Sequence, residues 1–241
     1  MLSSKDRRTK SLRPLGATRT APKEVRKQQL IDATIKSIAT YGLSGTTMNK
    51  VTRFAGLSVG IVNFHFESKD KLFEETLLHL ANEHREKWRG FMNDADLSAK
   101  DRLLAIVSAE FDTEVCQRDK LTVWTSFYGE CSYRTSYRKI VSDIDSERWQ
   151  ITKALCSEII ADGGYEALNA DEIAETLEGM YDGFCLNILL YPQNFTADDA
   201  QARVHGYLAL CFPHHFQNPS RIKHQTMSTV LSSNQTSTGV A

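Results

Sequence analysis

The sequence predicts an all-α protein of about nine helices, and three observations predict it. Apolar residues recur at three- and four-residue spacing through most of the chain. Helix start and stop signals punctuate those runs, and strand-like alternation is nowhere sustained. The chain has 241 residues, 41% hydrophobic and 24% charged, which suits a globular core and excludes a collagen, a long coiled coil or a mostly disordered chain. No run approaches the roughly 20 apolar residues of a membrane span. No basic segment followed by an apolar stretch marks a secretory signal at the start. Cysteines 116, 131, 156, 185 and 211 sit singly, too far apart for a zinc or redox pair, and fit free thiols in a reducing cytoplasm.

In chain order, residues 1–21 are basic, aperiodic and without an aromatic, which reads as a disordered arm. The tail 217–241 is rich in Ser, Thr, Asn and Gln, with too little apolar surface to offset the entropy of ordering. Pro22 suits a first helical turn. Val25, Leu30, Ile31, Thr34, Ile35 and Ile38 form a core-facing stripe that stops at Tyr41-Gly42, where a left-handed cap is expected. Thr46 and Thr47 offer cap oxygens for a short helix carrying Met48, Val51 and Phe54. Ala55-Gly56-Leu57 reads as a tight turn, Ser58 as the cap of a second short helix, and Ser68 as the cap of a long helix running to Trp88. Ser98 and Asp101 have the spacing of a capping box. Further helices are expected over about 119–132, 137–161, 170–190 and 197–211, separated at Gly163-Gly164 and Pro192. The organisation expected is an arm (1–21), a head (22–72), a helical body (73–216) and a tail (217–241).

Two short helices joined at Gly56 form a helix-turn-helix. A helix fits the DNA major groove, and capped helix N-termini present N–H groups to phosphate oxygens. Thr47 and Ser58 sit at those ends, with Lys50, Arg53, His65 and Lys69 around them. Charge agrees: residues 1–72 carry 14 Lys and Arg against 5 Asp and Glu, while the chain as a whole is at −1. A basic head on an acidic body fits a polyanion at one end only, and double-stranded DNA is the partner expected.

Thr46, Thr47, Val51, Ala55, Gly56, Ser58, Gly60, His65, Phe66, Ser68, Lys69 and Leu72, behind Tyr41-Gly42, reproduce a fixed-spacing signature. On these residues the chain resembles the TetR family of bacterial transcriptional repressors. The resemblance implies that Thr47, Ser58, His65 and Lys69 grip phosphates and that Phe66 and Leu72 pack the head. It also implies a homodimer on a palindromic operator, its last two long helices dimerising. Several positions depart from the family pattern: Asn63 replaces a common Tyr, Val59 a polar residue and Thr52 an Ala. The recognition helix is therefore poor in long polar side chains. Asn63 can pair with adenine and Val59 or Ile61 can touch a thymine methyl, with Lys50 and Arg53 adding contacts, and the basic arm could reach the minor groove.

The run G-I-V-N-F-H-F from Gly60, the start Arg26-Lys27-Gln28-Gln29-Leu30, Lys120 to Phe127, and Tyr181 to Phe184 are similar to a branch of that family that responds to choline and controls glycine-betaine synthesis. The small-molecule effector this implies is choline, a quaternary ammonium without N–H donors, suited by aromatic faces and a carboxylate. Trp124, Phe127 and Tyr128 share a helical face at i, i+3 and i+4, and Tyr181, Asp182 and Phe184 lie on another helix. Asp182 is the sharpest marker, because a carboxylate within an aromatic stripe needs a partner. Glu110 and Glu130 are weaker versions of the same idea. Aromatics at helical spacing more often serve a plain core, and the stripe Ile173, Leu177, Met180, Tyr181, Phe184, Ile188 and Leu189 suits either core or dimer seam.

An enzyme is not expected. The Glu-x-x-His pairs of a di-iron bundle are absent, as are a glycine-rich phosphate loop, G-x-S-x-G and C-x-x-C, and no metal or other cofactor is implied. The alternatives to a choline-released repressor are a regulator with another effector or none, and a DNA-binding protein whose acidic body docks a second protein.

Overall fold

The computed structural model describes residues 22–92, 94 and 96–217. The arm 1–21, and the tail beyond residue 217, were both read from sequence as disordered and lie outside the described residues. Those described form nine α-helices and no strand: α1 (Lys23–Gly45), α2 (Met48–Ala55), α3 (Val59–His65), α4 (Lys69–Met92), α5 (Ala99–Glu110), α6 (Arg118–Glu130), α7 (Thr135–Gly163), α8 (Ala170–Leu190) and α9 (Ala197–Cys211).

The stripe of α1 buries Leu30, Ile31, Ile35 and Ile38, as its spacing requires. The exit from α1 differs from the left-handed cap expected. Gly42 has φ 72 and ψ 170, an extended backbone with positive φ that side chains other than glycine's disfavour. This bend lets Thr46 fold back, its backbone N–H and its hydroxyl both donating to the Gly42 carbonyl at 3.1 and 2.8 Å. Thr46 is fully buried, so it staples the turn and leaves the N-cap of α2 to Thr47, whose Oγ1 accepts from the Lys50 N–H at 3.4 Å. Gly56, at φ 64 and ψ 29, closes α2 in the left-handed region. Gln29 donates to the Ala55 carbonyl at 2.7 Å and so fixes the turn against α1.

Two cores result. One gathers α1, Val51, Ala55, Val62, Phe66, Leu72, Phe73, Leu77 and Leu80 with Val123, Phe127 and Tyr137 from α6 and α7. The other fills the body with Trp88, Leu103, Ile106, Phe111, Leu155, Ile159, Leu177, Tyr181, Val204, Leu208 and Phe212. Burying a side chain of this size stabilises by about 1.5–3 kcal/mol. The head is thus built partly from the body: α4 crosses residues 72–73 without a break, and α6 lends two side chains to the head core.

Candidate nucleic-acid interface and a buried cavity

In the head, Thr47, Arg53, Ser58, Val59 and Asn63 are exposed, and Lys50, His65 and Lys69 are half-buried. Ser58 occupies the N-cap position of α3 with extended backbone, but its side chain makes no capping hydrogen bond, against the sequence reading. The N–H groups at the start of α3 are therefore not consumed by that hydroxyl. Lys50 has a structural hold: its Nζ donates to the Gly45 carbonyl at 2.7 Å and lies 4.1 Å from the Tyr41 ring centroid. Its ammonium is pulled into the head rather than left free for a base edge. Ser68 accepts from the Lys71 N–H at 3.1 Å and fixes the start of α4, where Lys69 Nζ stands 5.0 Å from the Phe73 ring centroid. Burial lowers the His65 pKa, helped by Lys23 and Arg26 and opposed by Glu24. A neutral imidazole offers phosphate one N–H.

In the body, α4, α5, α6, α7 and α8 enclose a cavity of about 540 Å³. Its wall includes His84 from α4, Glu110 from α5, Leu121, Trp124, Thr125, Tyr128 and Gly129 from α6, Ile144, Asp145 and Arg148 from α7, and Tyr181, Asp182, Gly183, Cys185 and Leu186 from α8. Four of the six effector-site residues expected from sequence thus meet on one surface: Trp124, Tyr128, Tyr181 and Asp182. The Trp124 and Tyr128 rings lie 5.9 Å apart.

Phe127 and Phe184 do not line the cavity, against expectation. Phe127 is fully buried in the head core, its ring 4.9 Å from Tyr137 and 6.3 Å from Phe73. Phe184 packs into the body core against Phe195 at 5.3 Å and Phe111 at 6.4 Å. Of the weaker candidates, Glu110 is on the wall, whereas Glu130, the last residue of α6, pairs with Arg134 at the start of α7 at 3.5 Å.

The electrostatics centre on Arg148, which is buried. Its Nη1 lies 3.3 Å from both Glu110 oxygens, its Nε 3.0 and 3.1 Å from the Glu178 oxygens, and its Nη2 3.2 Å from Asp145 Oδ1 and in close contact with Glu178 Oε2. The guanidinium also sits 5.6 Å from the Tyr181 ring centroid. His84 Nε2 is 2.9 Å from Glu110 Oε1. Burial pushes the Glu110 carboxyl up, but Arg148 and His84 together outweigh it and hold Glu110 below the usual range.

The other carboxylates go the opposite way. Burial, with repulsion from Asp182, Glu178 and Glu110 and only Arg148 opposing, pushes Asp145 up to about 6. Burial also raises Glu178 and Asp182. Asp182 is exposed along one edge and faces the cavity with the other. Burial raises the Tyr181 hydroxyl too; that hydroxyl is buried and has no hydrogen-bond partner among the described residues. Four carboxylates around one guanidinium and one imidazole leave the cavity with surplus negative charge.

Sequence reading missed Arg148, Asp145, His84 and Glu178. A signal for Arg148 exists: it sits on the buried stripe of α7 between Ile144 and Thr152, where an unpaired arginine would be costly.

Comparison with known proteins gives concordant matches. A family described as bacterial regulatory proteins of the tetR family matches residues 30–76, and one described as the C-terminal part of BetI-type transcriptional repressors matches residues 99–213. The HTH-type transcriptional regulator BetI of Burkholderia thailandensis is 31% identical over 194 residues, covering 78% of this chain and 94% of that protein. The crystal structure of a transcriptional regulator from Pseudomonas aeruginosa PAO1 superposes with a TM-score of 0.70 at 26% identity, covering 82% of this chain and 96% of the other. A regulator from Saccharomonospora viridis, crystallised in complex with choline, shares the fold at TM-score 0.66 and 18% identity, covering 77% and 96%.

Proposed function

Because this chain belongs to the TetR family of transcriptional repressors, with a BetI-type C-terminal region, we propose that a small organic cation entering the body cavity releases its head from DNA. The cavity carries this reading: it is aromatic on one wall, has surplus negative charge, and is bounded by α4, α6 and α7, which also contribute to the head core. Trp124 and Tyr128 offer ring faces, each worth about 0.5–2 kcal/mol to a quaternary ammonium. Asp182 and Asp145 offer charge, and the unpartnered Tyr181 hydroxyl offers a hydrogen bond. Choline is the cation we propose, supported by the BetI-like sequence and by the choline bound to the Saccharomonospora viridis regulator.

Coupling follows from α4 and α6. α4 carries His84 at the cavity and Lys69 at its first turn. α6 turns Trp124 and Tyr128 to the cavity and Val123 and Phe127 to the head core. A ligand that favours one placement of these helices shifts the head by the same differential affinity. At the DNA we assign phosphate contacts to Thr47, Ser58, His65 and Lys69, and base contacts to Asn63 and Val59, with Arg53 beside them. We assign the dimer seam to α8 and α9, whose Leu186, Leu190 and Leu210 are exposed on a single chain. Two recognition helices would then sit about 34–36 Å apart, one DNA turn. None of the helices among the described residues is long and apolar enough to cross a membrane, and cytoplasmic residence is part of the proposal.

The test is binding of the purified protein to the DNA upstream of its own gene at fixed salt, titrated with choline. Release by choline, but not by glycine betaine or an uncharged analogue, is expected. DNA binding indifferent to choline would overturn the effector, and absence of binding in an unbiased DNA selection would overturn the repressor reading.

A further inference from the structure

The surplus charge of the cavity favours a proton on its least compensated carboxylate when no cation is present. Glu110 is spoken for, by Arg148 at 3.3 Å and His84 at 2.9 Å. Glu178 is held by the other edge of the same guanidinium. Asp145 receives a single contact from Arg148, at 3.2 Å, and Asp182 has no ion pair among the described residues on a wall it shares with Asp145. Both aspartates also border a smaller outer pocket with Tyr128 and Arg138, so they stand where the cavity meets its mouth.

We propose that Asp145, with Asp182 beside it, is the cation-holding pair, and that the cavity takes up its organic cation in exchange for a proton held on Asp145. This rests on the cation reading above. The step is an exchange and needs no other reactant: the cation enters, the Asp145 O–H proton leaves to water, and the cavity keeps its net charge. The groups facing Asp145 are His84 on α4, Glu110 on α5, Tyr128 on α6 and Cys131 just after it, Arg138 and Arg148 on α7, and Glu178, Asp182 and Cys185 on α8. Burial is the main reason the proton is retained to about pH 6; Arg148 alone opposes it, and the carboxylates of Asp182, Glu178 and Glu110 add to it. An incoming cation supplies the positive charge the proton had supplied.

The probe is choline chloride, which has no group titrating between pH 5 and 7.5, so any pH dependence belongs to the protein. Calorimetric titration of the full chain, free of DNA, at pH 7.5, 6.0 and 5.0 in buffers of different ionisation heat should show affinity falling about tenfold from pH 7.5 to 5 and about half a proton released per choline at pH 6. Asp145→Asn should flatten that dependence. Choline binding with equal affinity at pH 5 and 7.5 would overturn the exchange and leave the cation reading standing. A pH dependence that persists in Asp145→Asn would move the titration to another group, His84 first, and would also overturn it. Failure of choline to bind at any pH overturns both. A second readout needs no ligand. A carboxyl whose pKa is raised on folding destabilises the folded chain increasingly as pH rises from its unfolded value towards 6 and beyond. Asp145→Asn should therefore melt higher than the parent at pH 7.5, with the gap about halved at pH 5 and closing only below about pH 4; equal melting temperatures at pH 7.5 and 5 would contradict the retained proton.

Discussion

Lys69 and Asn63 separate grip from reading at the level of single side chains. Lys69 lies at the first turn of α4, and its expected partner, a phosphate, is the same on every sequence. Lys69→Ala should weaken binding to operator and unrelated DNA by a similar factor and lower the salt slope by about one. Asn63 is exposed on α3, and Asn63→Ala should instead cost about 1–3 kcal/mol on the preferred operator alone. Comparative binding isotherms on both DNAs check the pair. In the body the decisive residue is Arg148. Arg148→Met should leave Glu110 buried without its counter-charge and cost about 3–5 kcal/mol, read as a lower denaturation midpoint. The TetR-like head signature was legible at this scale because each position has one local job, such as the Thr47 cap or the Gly56 turn. Arg148 was not, since its three carboxylate partners come from helices α5, α7 and α8.

At the scale of elements, α6 explains why Phe127 was misplaced. Trp124, Phe127 and Tyr128 share a broad face by spacing. At about 100° per residue, however, Tyr128 lies 40° to one side of Trp124 and Phe127 60° to the other. That divergence sends the first two to the cavity and Phe127 into the head core. The same helix should therefore yield two phenotypes. Phe127→Ala should destabilise the protein by about 3–5 kcal/mol, seen as a fall in melting temperature. Trp124→Ala, at a half-buried ring that also rests on the head core, should lower the melt by less than Phe127→Ala and weaken choline by about 0.5–2 kcal/mol, seen by calorimetry. Phe184 follows the same logic on α8, where Phe111 and Phe195 claim it for the core. Helix positions themselves were close to expectation: 119–132 and 137–161 became Arg118–Glu130 and Thr135–Gly163.

For the whole molecule, the division of charge governs DNA binding. With 14 basic against 5 acidic residues in the first 72, log affinity should fall linearly with log salt, by about 0.9 per phosphate neutralised. A flat response from 50 to 200 mM salt would contradict the assigned DNA face. Stability and signalling are joined at this scale too. The head core contains Val123, Phe127 and Tyr137, so α6 and α7 are structural parts of the DNA-binding unit. A displacement of α6 at the cavity wall therefore reaches the head core directly, through Val123 and Phe127.

Local signals along the chain fix the all-α class, the helix register, the turn at Gly56 and the charged head, because caps, turns and periodicity act over a few residues. They also carry the family signature, whose spacings are local to residues 41–72. Only the tertiary structure decided which aromatics face a cavity and which a core, and that Glu110, Asp145, Glu178 and Asp182 crowd around one guanidinium. Those outcomes depend on five helices meeting at one place, and periodicity along one helix says which side is apolar without saying what it meets.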